Sequence, residues 1–124
     1  MLNHYRAIIW DMGGVLLHEV DQQPRWALAE KYNLDLEQLY RLVFSSESTR
    51  KATNGEISSD EHWHTIGATL GIPQEEMDDF QRVFWSGDSI DNQLISFIMK
   101  LKPDYKIGLL SNAWARPTRC TMPL

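Results

Sequence analysis

The sequence is poor in cysteine, in long apolar runs and in basic residues, and each shortage excludes a class of protein. The single Cys120 excludes an internal disulfide framework and a cysteine-based zinc site, and it fits a reducing compartment. No apolar run approaches the roughly 18 residues that a membrane-spanning helix needs. With 12 Lys and Arg against 17 Asp and Glu, the net charge is −5, which argues against nonspecific binding of nucleic acid.

The rest of the composition is that of an ordinary folded domain. The 124 residues suit one domain, with 43% hydrophobic and 23% charged residues. The first residues enter an apolar stretch that lacks the small-residue cleavage site of a signal peptide. We therefore expect an acidic, cytoplasmic protein that binds neither nucleic acid nor membrane.

Two short apolar segments have the character of buried strands, and helical periodicity fills the sequence between them. Residues 5–10 lead into Asp11, and residues 105–110 lead into Ser111 and Asn112. Five helices are predicted between the strands. They are marked by Pro24 to Asn33, by Asp35 with Gln38, by Ser58 with Glu61 as far as Gly71, by Pro73 onward, and by residues 90–101 before Pro103.

This order of elements predicts an α/β fold with two parallel strands. Two strands joined by a right-handed crossover are neighbours in one sheet, and the helix at 90–101 can make the crossover. Residues 18–89 then form a helical insert. Ligands of open α/β sheets bind at the carboxyl ends of the strands, where Asp11, Ser111 and Asn112 are expected. Because the insert leaves from the same edge, it could serve as a lid.

Two segments carry a resemblance to a known family. IIWDMGGVL resembles the first motif of the haloacid dehalogenase (HAD) superfamily, and IGLLSNA resembles its second motif. The helical insert between them and the stretch NGEISSDEHW are similar to the subfamily whose cap lies between these motifs. The likeness covers residues 5 to about 115. It implies a Rossmann-like parallel sheet with an inserted α-helical cap, in which only about two core strands are present.

The resemblance also implies a reaction and a site. Asp11 would be the nucleophile that attacks a phosphoryl group of a small phosphorylated metabolite and forms an aspartyl phosphate. Asp11 and the backbone carbonyl of Gly13 would hold Mg²⁺, and Gly14 would permit the tight turn that follows the strand. Ser111 and Asn112 would hold the transferring oxygens.

Three residues outside these motifs are weaker candidates for contact with substrate. Arg50 and Lys51 lie near the Asn54-Gly55 turn, in a region where relatives place a specificity loop, and they are candidates to bind an anionic substrate group. A solvated helix end is the favoured explanation of these two cations. His18 follows the first motif and could touch substrate, although an ordinary residue of the chain entering the cap is the favoured explanation.

The first departure from the family pattern is at position 13. The phosphatase pattern has a second Asp there, which protonates the leaving group and activates water, and Gly13 can do neither. General acid–base help is worth about 10²–10⁴-fold in rate, so transfer to a poor leaving group is expected to be slow. Haloacid dehalogenases also lack that Asp, so displacement of halide from a 2-haloacid is an alternative chemistry.

The second departure concerns the segment after the second motif. The family has a third-motif Lys and fourth-motif acids beyond that motif, and here no Asp or Glu follows Asp104. Arg116 and Arg119 are cations of the tail, which nothing assigns to the phosphoryl site. We expect weak or no turnover from this chain, and we interpret residues 117–124 as an irregular tail left by truncation or a frameshift. The alternative is a noncatalytic fragment or interaction module, in which a partner chain completes the sheet.

These patterns divide the chain into a partial core, 1–17 and 90–116, and a helical cap, 18–89. Trp26, Trp63 and Trp85 lie at helical spacing with other apolar residues, which predicts that they belong to the cap core. His62 and His64 lie two positions apart on one helix and point to different sides, so they are expected to face solvent.

Overall fold

A computed structural model describes residues 4–114, which form two compact units. The strand unit consists of the stretch that ends at Asp21 together with Asp88–Asn112, and the helical unit consists of Gln22–Gly87 and the segment that begins at Ala113. The changeovers lie a few residues inside the predicted insert of 18–89, and the division into core and cap stays a prediction. Cys120 and the tail residues from 115 onward lie outside the described residues.

The strand unit confirms the predicted α/β fold with a parallel strand pair. Strand β1 (Ala7–Asp11) pairs in parallel with β4 (Lys106–Leu110), in a register that runs from Ala7 opposite Lys106 to Asp11 opposite Leu110. Helix α6 (Asn92–Leu101) precedes β4. Its first turn is capped by the Asp91 carboxylate, which accepts the amide proton of Leu94 at 3.0 Å.

A second pair of strands was not predicted. Strand β2 (Leu17–Glu19) pairs antiparallel with β3 (Asp88–Ile90), where the sequence predicted the start of a helix at residue 90. Each strand has only three residues, which is too short for an alternating pattern to be recognised. The two strands are also far apart in the sequence, so no turn residue marks their pairing.

The helical unit contains five helices, and its caps follow the predicted signals closely. The Asp35 carboxylate accepts the amide proton of Gln38 at 2.7 Å, and the Gln38 side chain accepts the Asp35 amide proton at 2.9 Å. Gly71 ends its helix with a φ of 71°, which favours glycine. The third helix was not predicted, because it is short and polar. The helices are α1 (Gln23–Lys31), α2 (Leu36–Phe44), α3 (Glu47–Thr53), α4 (Ser59–Leu70) and α5 (Met77–Trp85), with a 3-10 turn (Gln74–Glu76) before α5.

The core of the helical unit is rich in aromatic side chains. Trp63 is buried as predicted, and its ring meets that of Phe84 edge-on at a centroid distance of 5.6 Å. Trp26 was predicted to be buried but is 57% exposed. The remaining buried residues that form this core are Leu28, Ala29, Leu39, Val43, Ile66, Ile72, Met77 and Phe80.

A buried arginine explains why Trp26 is displaced from the core. Arg25 is only 4% exposed, and with Leu28, Ala29 and Tyr32 it occupies the i, i+3, i+4 and i+7 positions of one face. Its guanidinium lies 4.2 Å from the centroid of the Phe84 ring. Its Nε–H donates to the Phe84 carbonyl at 2.8 Å. The aromatic rings thus accept a cation at a position where the sequence pattern predicts an apolar residue.

His62 is also buried, which contradicts the predicted exposure, whereas His64 is exposed as predicted. Its Nε2–H donates to the Val43 carbonyl at 2.9 Å, and its Nδ1 accepts from the Ser48 hydroxyl at 2.7 Å. A carbonyl can only accept, so the proton of the neutral ring is on Nε2. Two hydrogen bonds therefore offset the cost of burying this side chain.

The strands β1 and β4 are less buried than predicted. Ile9 is 70% exposed and Leu110 is 67% exposed, and the register places both on the same face of the pair. A parallel sheet normally has both faces covered, and sheets usually have four to six strands. In the part of the chain that the structure describes, this face of the two-stranded sheet is uncovered.

No helix within the described range is both long enough and apolar enough to cross a membrane.

His62 should make the stability of the fold depend on pH. Burial lowers the pKa of His62 from its usual 6.5, while the hydrogen bond to Val43 raises it by a smaller amount. The unfolded state therefore binds a proton more readily than the folded state. The stabilisation is complete above about pH 6.5 and is lost as the pH falls through the folded-state pKa. Urea unfolding between pH 7.5 and pH 5 should show this loss, and His62→Gln should reduce it.

His64→Gln is the matched control, because His64 lies on the same helix and is exposed. It should leave the pH dependence of the unfolding free energy unchanged. Equal pH profiles for the wild type and His62→Gln would contradict the assignment to His62.

Candidate functional site

The predicted site residues of the two motifs meet at one edge of the strand pair. Asp11 is the last residue of β1 and lies opposite Leu110, the last residue of β4, so Ser111 and Asn112 continue the chain from that edge. Asp11, Ser111 and Asn112 are all exposed. The side chains that the motifs supply are thus accessible at the carboxyl ends of parallel strands, where α/β sheets bind their ligands.

A tight turn follows Asp11 and fixes the start of the chain beyond β1. The Met12 amide donates to the Asp11 carboxylate at 2.8 Å, and the Met12 carbonyl accepts from the amides of Leu16 and Leu17, each at 2.9 Å. Gly14 has a φ of 75°, a backbone conformation that L-residues with a side chain rarely adopt. A Cβ at Gly14 would meet nothing within 4 Å, so the turn requires glycine for its conformation rather than for space.

The oxygen donors at this turn are of the type that Mg²⁺ prefers, but there are only a few of them. The Asp11 carboxylate and the Gly13 carbonyl are hard oxygen donors, which Mg²⁺ prefers. Within residues 4–114, no three His, Cys, Asp or Glu side chains come close enough to hold one metal ion. Because Mg²⁺ often retains water and uses substrate phosphate as ligand, one carboxylate and one carbonyl are compatible with a site that substrate completes.

The structure assigns Arg50 and Lys51 to helix α3 of the helical unit, where Arg50 is already paired. Its guanidinium lies 2.7 Å from a Glu47 carboxylate oxygen and 3.1 Å from a Glu56 carboxylate oxygen. The hydrogen bond and charge of Arg50 lower the pKa of Glu47, and Glu47 with Glu56 raises the pKa of Arg50. An anionic ligand would therefore compete with two carboxylates for Arg50. Lys51 is exposed.

Arg50 also lines a shallow cleft of about 260 Å³ on the helical unit. Five of its seven lining residues have hydroxyl or amide side chains, and one aromatic ring borders it. The other lining residues are Phe44, Ser45, Ser46, Thr49, Thr53 and Asn54.

His18 is engaged in its own turn. Its Nε2 lies 2.8 Å from the Val15 carbonyl, and the residue is partly buried. Because the carbonyl accepts the proton of this ring nitrogen, the geometry favours a residue that holds the entry to β2 rather than one that binds substrate.

Sequence reasoning did not single out Trp114. Its indole N–H donates to the Thr53 hydroxyl at 3.3 Å, and its ring lies 4.5 Å from that of His62. The sequence gives no signal for Trp114 except an aromatic residue two positions after Asn112. Its partner Thr53 lies on α3, which was not predicted, and its partner His62 was predicted to face solvent.

The pairing of Arg50 can be tested by titration of Glu47. Arg50→Gln should raise the pKa of the Glu47 carboxyl towards its ordinary value, because Arg50 supplies the hydrogen bond and the largest favourable charge interaction. Carboxyl ¹³C chemical shifts followed against pH would measure this. Lys51→Gln is the matched control, since Lys51 is the weakest of the lowering contributions. A larger shift in Lys51→Gln than in Arg50→Gln would contradict the pairing.

Comparison with solved structures finds HAD-family proteins that are similar to most of this chain. A HAD-family enzyme from Bacteroides thetaiotaomicron is similar with a TM-score of 0.68 at 19% identity over 94% of this chain. The same enzyme in complex with magnesium and inorganic phosphate gives 0.66 at 20% identity over 93%. A HAD-like family hydrolase from Porphyromonas gingivalis gives 0.62 at 21% identity over 89%. The sequence matches no protein-family model and no curated protein.

The chain is shorter than these neighbours. It spans 62% of the length of the Bacteroides enzyme and 52% of the Porphyromonas hydrolase. At these levels of identity the likeness establishes the fold and not the activity. The described chain, with its parallel strand pair ending in Asp11 and Leu110 and its separate helical unit, has a HAD-like fold.

Proposed function

We propose that this chain belongs to a Mg²⁺-dependent phosphatase that hydrolyses a small phosphorylated metabolite through Asp11. The observation that carries the proposal is the position of Asp11 at the carboxyl end of β1, beside the end of β4 from which Ser111 follows. The complex of the Bacteroides enzyme with magnesium and phosphate supports the choice of ligand class. We also propose a cytoplasmic location, which the lone cysteine supports.

The proposed reaction has two displacements at phosphorus. A carboxylate oxygen of Asp11 attacks, the bond from phosphorus to the ester oxygen breaks, and the alcohol oxygen leaves with the electron pair. Water then attacks the phosphorus of the aspartyl phosphate, and cleavage of its bond to Asp11 releases phosphate. The Ser111 hydroxyl and the Asn112 amide would donate hydrogen bonds to the phosphoryl oxygens.

Charge is the main obstacle to the first step, since a carboxylate must approach a phosphate dianion. When bound by Asp11 and the Gly13 carbonyl, Mg²⁺ supplies positive charge that offsets this repulsion. Gly13 has no side chain to protonate the leaving oxygen. The chain is therefore suited to esters whose leaving group is stable without a proton.

We expect little turnover from the chain as given. It covers 62% of the Bacteroides enzyme and 52% of the Porphyromonas hydrolase. A single carboxylate is a small share of the six ligands that Mg²⁺ takes.

Substrates with different leaving groups would test the proposal. Hydrolysis of p-nitrophenyl phosphate or acetyl phosphate should exceed that of an alkyl phosphate, and Asp11→Asn should abolish it. Asp104→Asn, at an exposed acid that follows α6, should leave the rate unchanged. Gly13→Asp should raise the rate on the alkyl phosphate by about 10²-fold, the lower end of general acid catalysis. Space permits it, because a Cβ at Gly13 meets nothing within 4 Å.

Folded protein that hydrolyses none of these phosphate compounds in the presence of Mg²⁺ would contradict phosphatase activity in this chain. Equal rates in the wild type and in Asp11→Asn would contradict the role of Asp11. Equal rates on good and poor leaving groups would contradict the argument from Gly13.

A specific observation favours a second candidate, a noncatalytic interaction module. The uncovered face of the strand pair carries Ile9 and Leu110, and both outer edges of the pair are unpaired within the described residues. Apolar side chains on an open strand pair are a surface on which a partner chain could complete the sheet. A partner that supplies further strands would also cover this face.

This surface should make the isolated chain prone to self-association. The double variant Ile9→Lys with Leu110→Lys should bind less of the dye ANS and remain monomeric at concentrations where the wild type associates, as measured by light scattering. Val20→Lys is the control, because Val20 is a similarly exposed apolar residue outside the strand pair. Equal association of the wild type and the double variant would show that this face is not the cause.

A further inference from the structure

Trp114 connects the end of the second motif to the helical unit. Ser111 and Asn112 belong to the stretch that follows β4, and the strand unit ends at Asn112. Ala113 and Trp114 belong to the helical unit. The chain thus passes from the strand unit to the helical unit within two residues of Ser111, the proposed phosphoryl-binding residue.

Several contacts hold Trp114 in the helical unit. Its indole N–H donates to the Thr53 hydroxyl at 3.3 Å. Its ring meets the His62 ring edge-on at 4.5 Å, and it lies 6.2 Å from the Trp63 ring and 6.4 Å from the Phe44 ring. Trp114 is partly buried against the core cluster, whereas Ser111 and Asn112 are exposed.

The surroundings of Trp114 are themselves fixed. His62 is fully buried and is held by Val43 and Ser48, so the ring that Trp114 meets has one orientation. Trp63 is buried in the core. A tryptophan side chain has only two rotatable bonds, so it loses little conformational entropy when it packs against rigid partners. It is therefore an effective anchor.

We propose that Trp114 is a positioning residue that restricts the motion of the Ser111–Asn112 backbone. Ser111 and Trp114 are three positions apart, so their Cα atoms can be no more than about 11 Å apart. Fixing Trp114 therefore limits the range open to Ser111. The catalytic meaning of this restriction rests on the proposed phosphatase function. The restriction of backbone motion at Ser111 and Asn112 does not depend on that function.

The test measures backbone order at Ser111 and Asn112 directly. In the wild type the ¹⁵N order parameters of these amides should be near the rigid value of about 0.85, and in Trp114→Ala they should fall below about 0.6. Thr53→Val removes only the acceptor of the indole proton and should give an intermediate decrease. Thr69→Val is the matched control, since the Thr69 hydroxyl is also hydrogen-bonded, as donor to the Thr65 carbonyl, and Thr69 is exposed like Thr53.

A general loss of stability is distinguished from positioning by the amides of β4. The order parameters of Ile107 and Gly108, which lie in the paired strand, should stay unchanged in all variants. If Trp114→Ala proves to be unfolded, Thr53→Val and Trp114→Phe carry the test, because both keep an apolar ring against His62. Unchanged order at Ser111 and Asn112 in these variants, or low order already in the wild type, would overturn the proposal.

The outcome is separable from that of the proposed function. If the order falls as expected but no phosphate ester is hydrolysed, Trp114 positions the segment and the phosphatase proposal fails. If hydrolysis depends on Asp11 while the order at Ser111 does not respond, the phosphatase proposal stands and the role of Trp114 is overturned. Where the chain is active, Thr53→Val should lower kcat with little change in KM, since binding groups remain in place.

Discussion

The parallel pairing of β1 with β4 is the constraint on which the candidate site depends. Residues about 100 positions apart in the sequence become neighbours, and the register sets Asp11 opposite Leu110. Nothing local would bring Asp11 and Ser111 together. The pairing requires the intervening chain to leave from one strand and return to the other, and here its middle part, Gln22–Gly87, folds into a separate unit.

Buried polar side chains organise the helical unit in a way that its apolar pattern does not reveal. Arg25 lies among aromatic rings and donates to the Phe84 carbonyl, and His62 links α4 to the Val43 carbonyl of α2 and to Ser48 of α3. Burial of such groups is costly unless each has a partner. Their satisfied hydrogen bonds specify how the helices pack, whereas apolar contacts alone would tolerate several arrangements.

Local signals predicted the parts of this fold that are decided locally. The reciprocal cap of Asp35 and Gln38 and the left-handed Gly71 depend on residues a few positions apart, and both were predicted. The predicted burial of Trp26 was wrong, because its neighbour Arg25 occupies the buried position and is held there by Phe84 of another helix. The β2–β3 pair was missed for the same physical reason, since distant residues decide it. At the site, the two motifs predicted which residues share an edge, but not that Glu47 and Glu56 already pair with Arg50.

The separation of β1 from β4 in the sequence has a consequence for folding kinetics. Closing a loop of about 100 residues costs entropy before any strand contact is gained, so topologies with such distant contacts fold slowly. The contacts within the helical unit span shorter stretches, such as the 59 positions between Arg25 and Phe84, and can form first. The pairing of β1 with β4 then comes late. Before it occurs, the apolar residues of both strands can contact other chains, so the yield of folded protein depends on the concentration of this protein during synthesis.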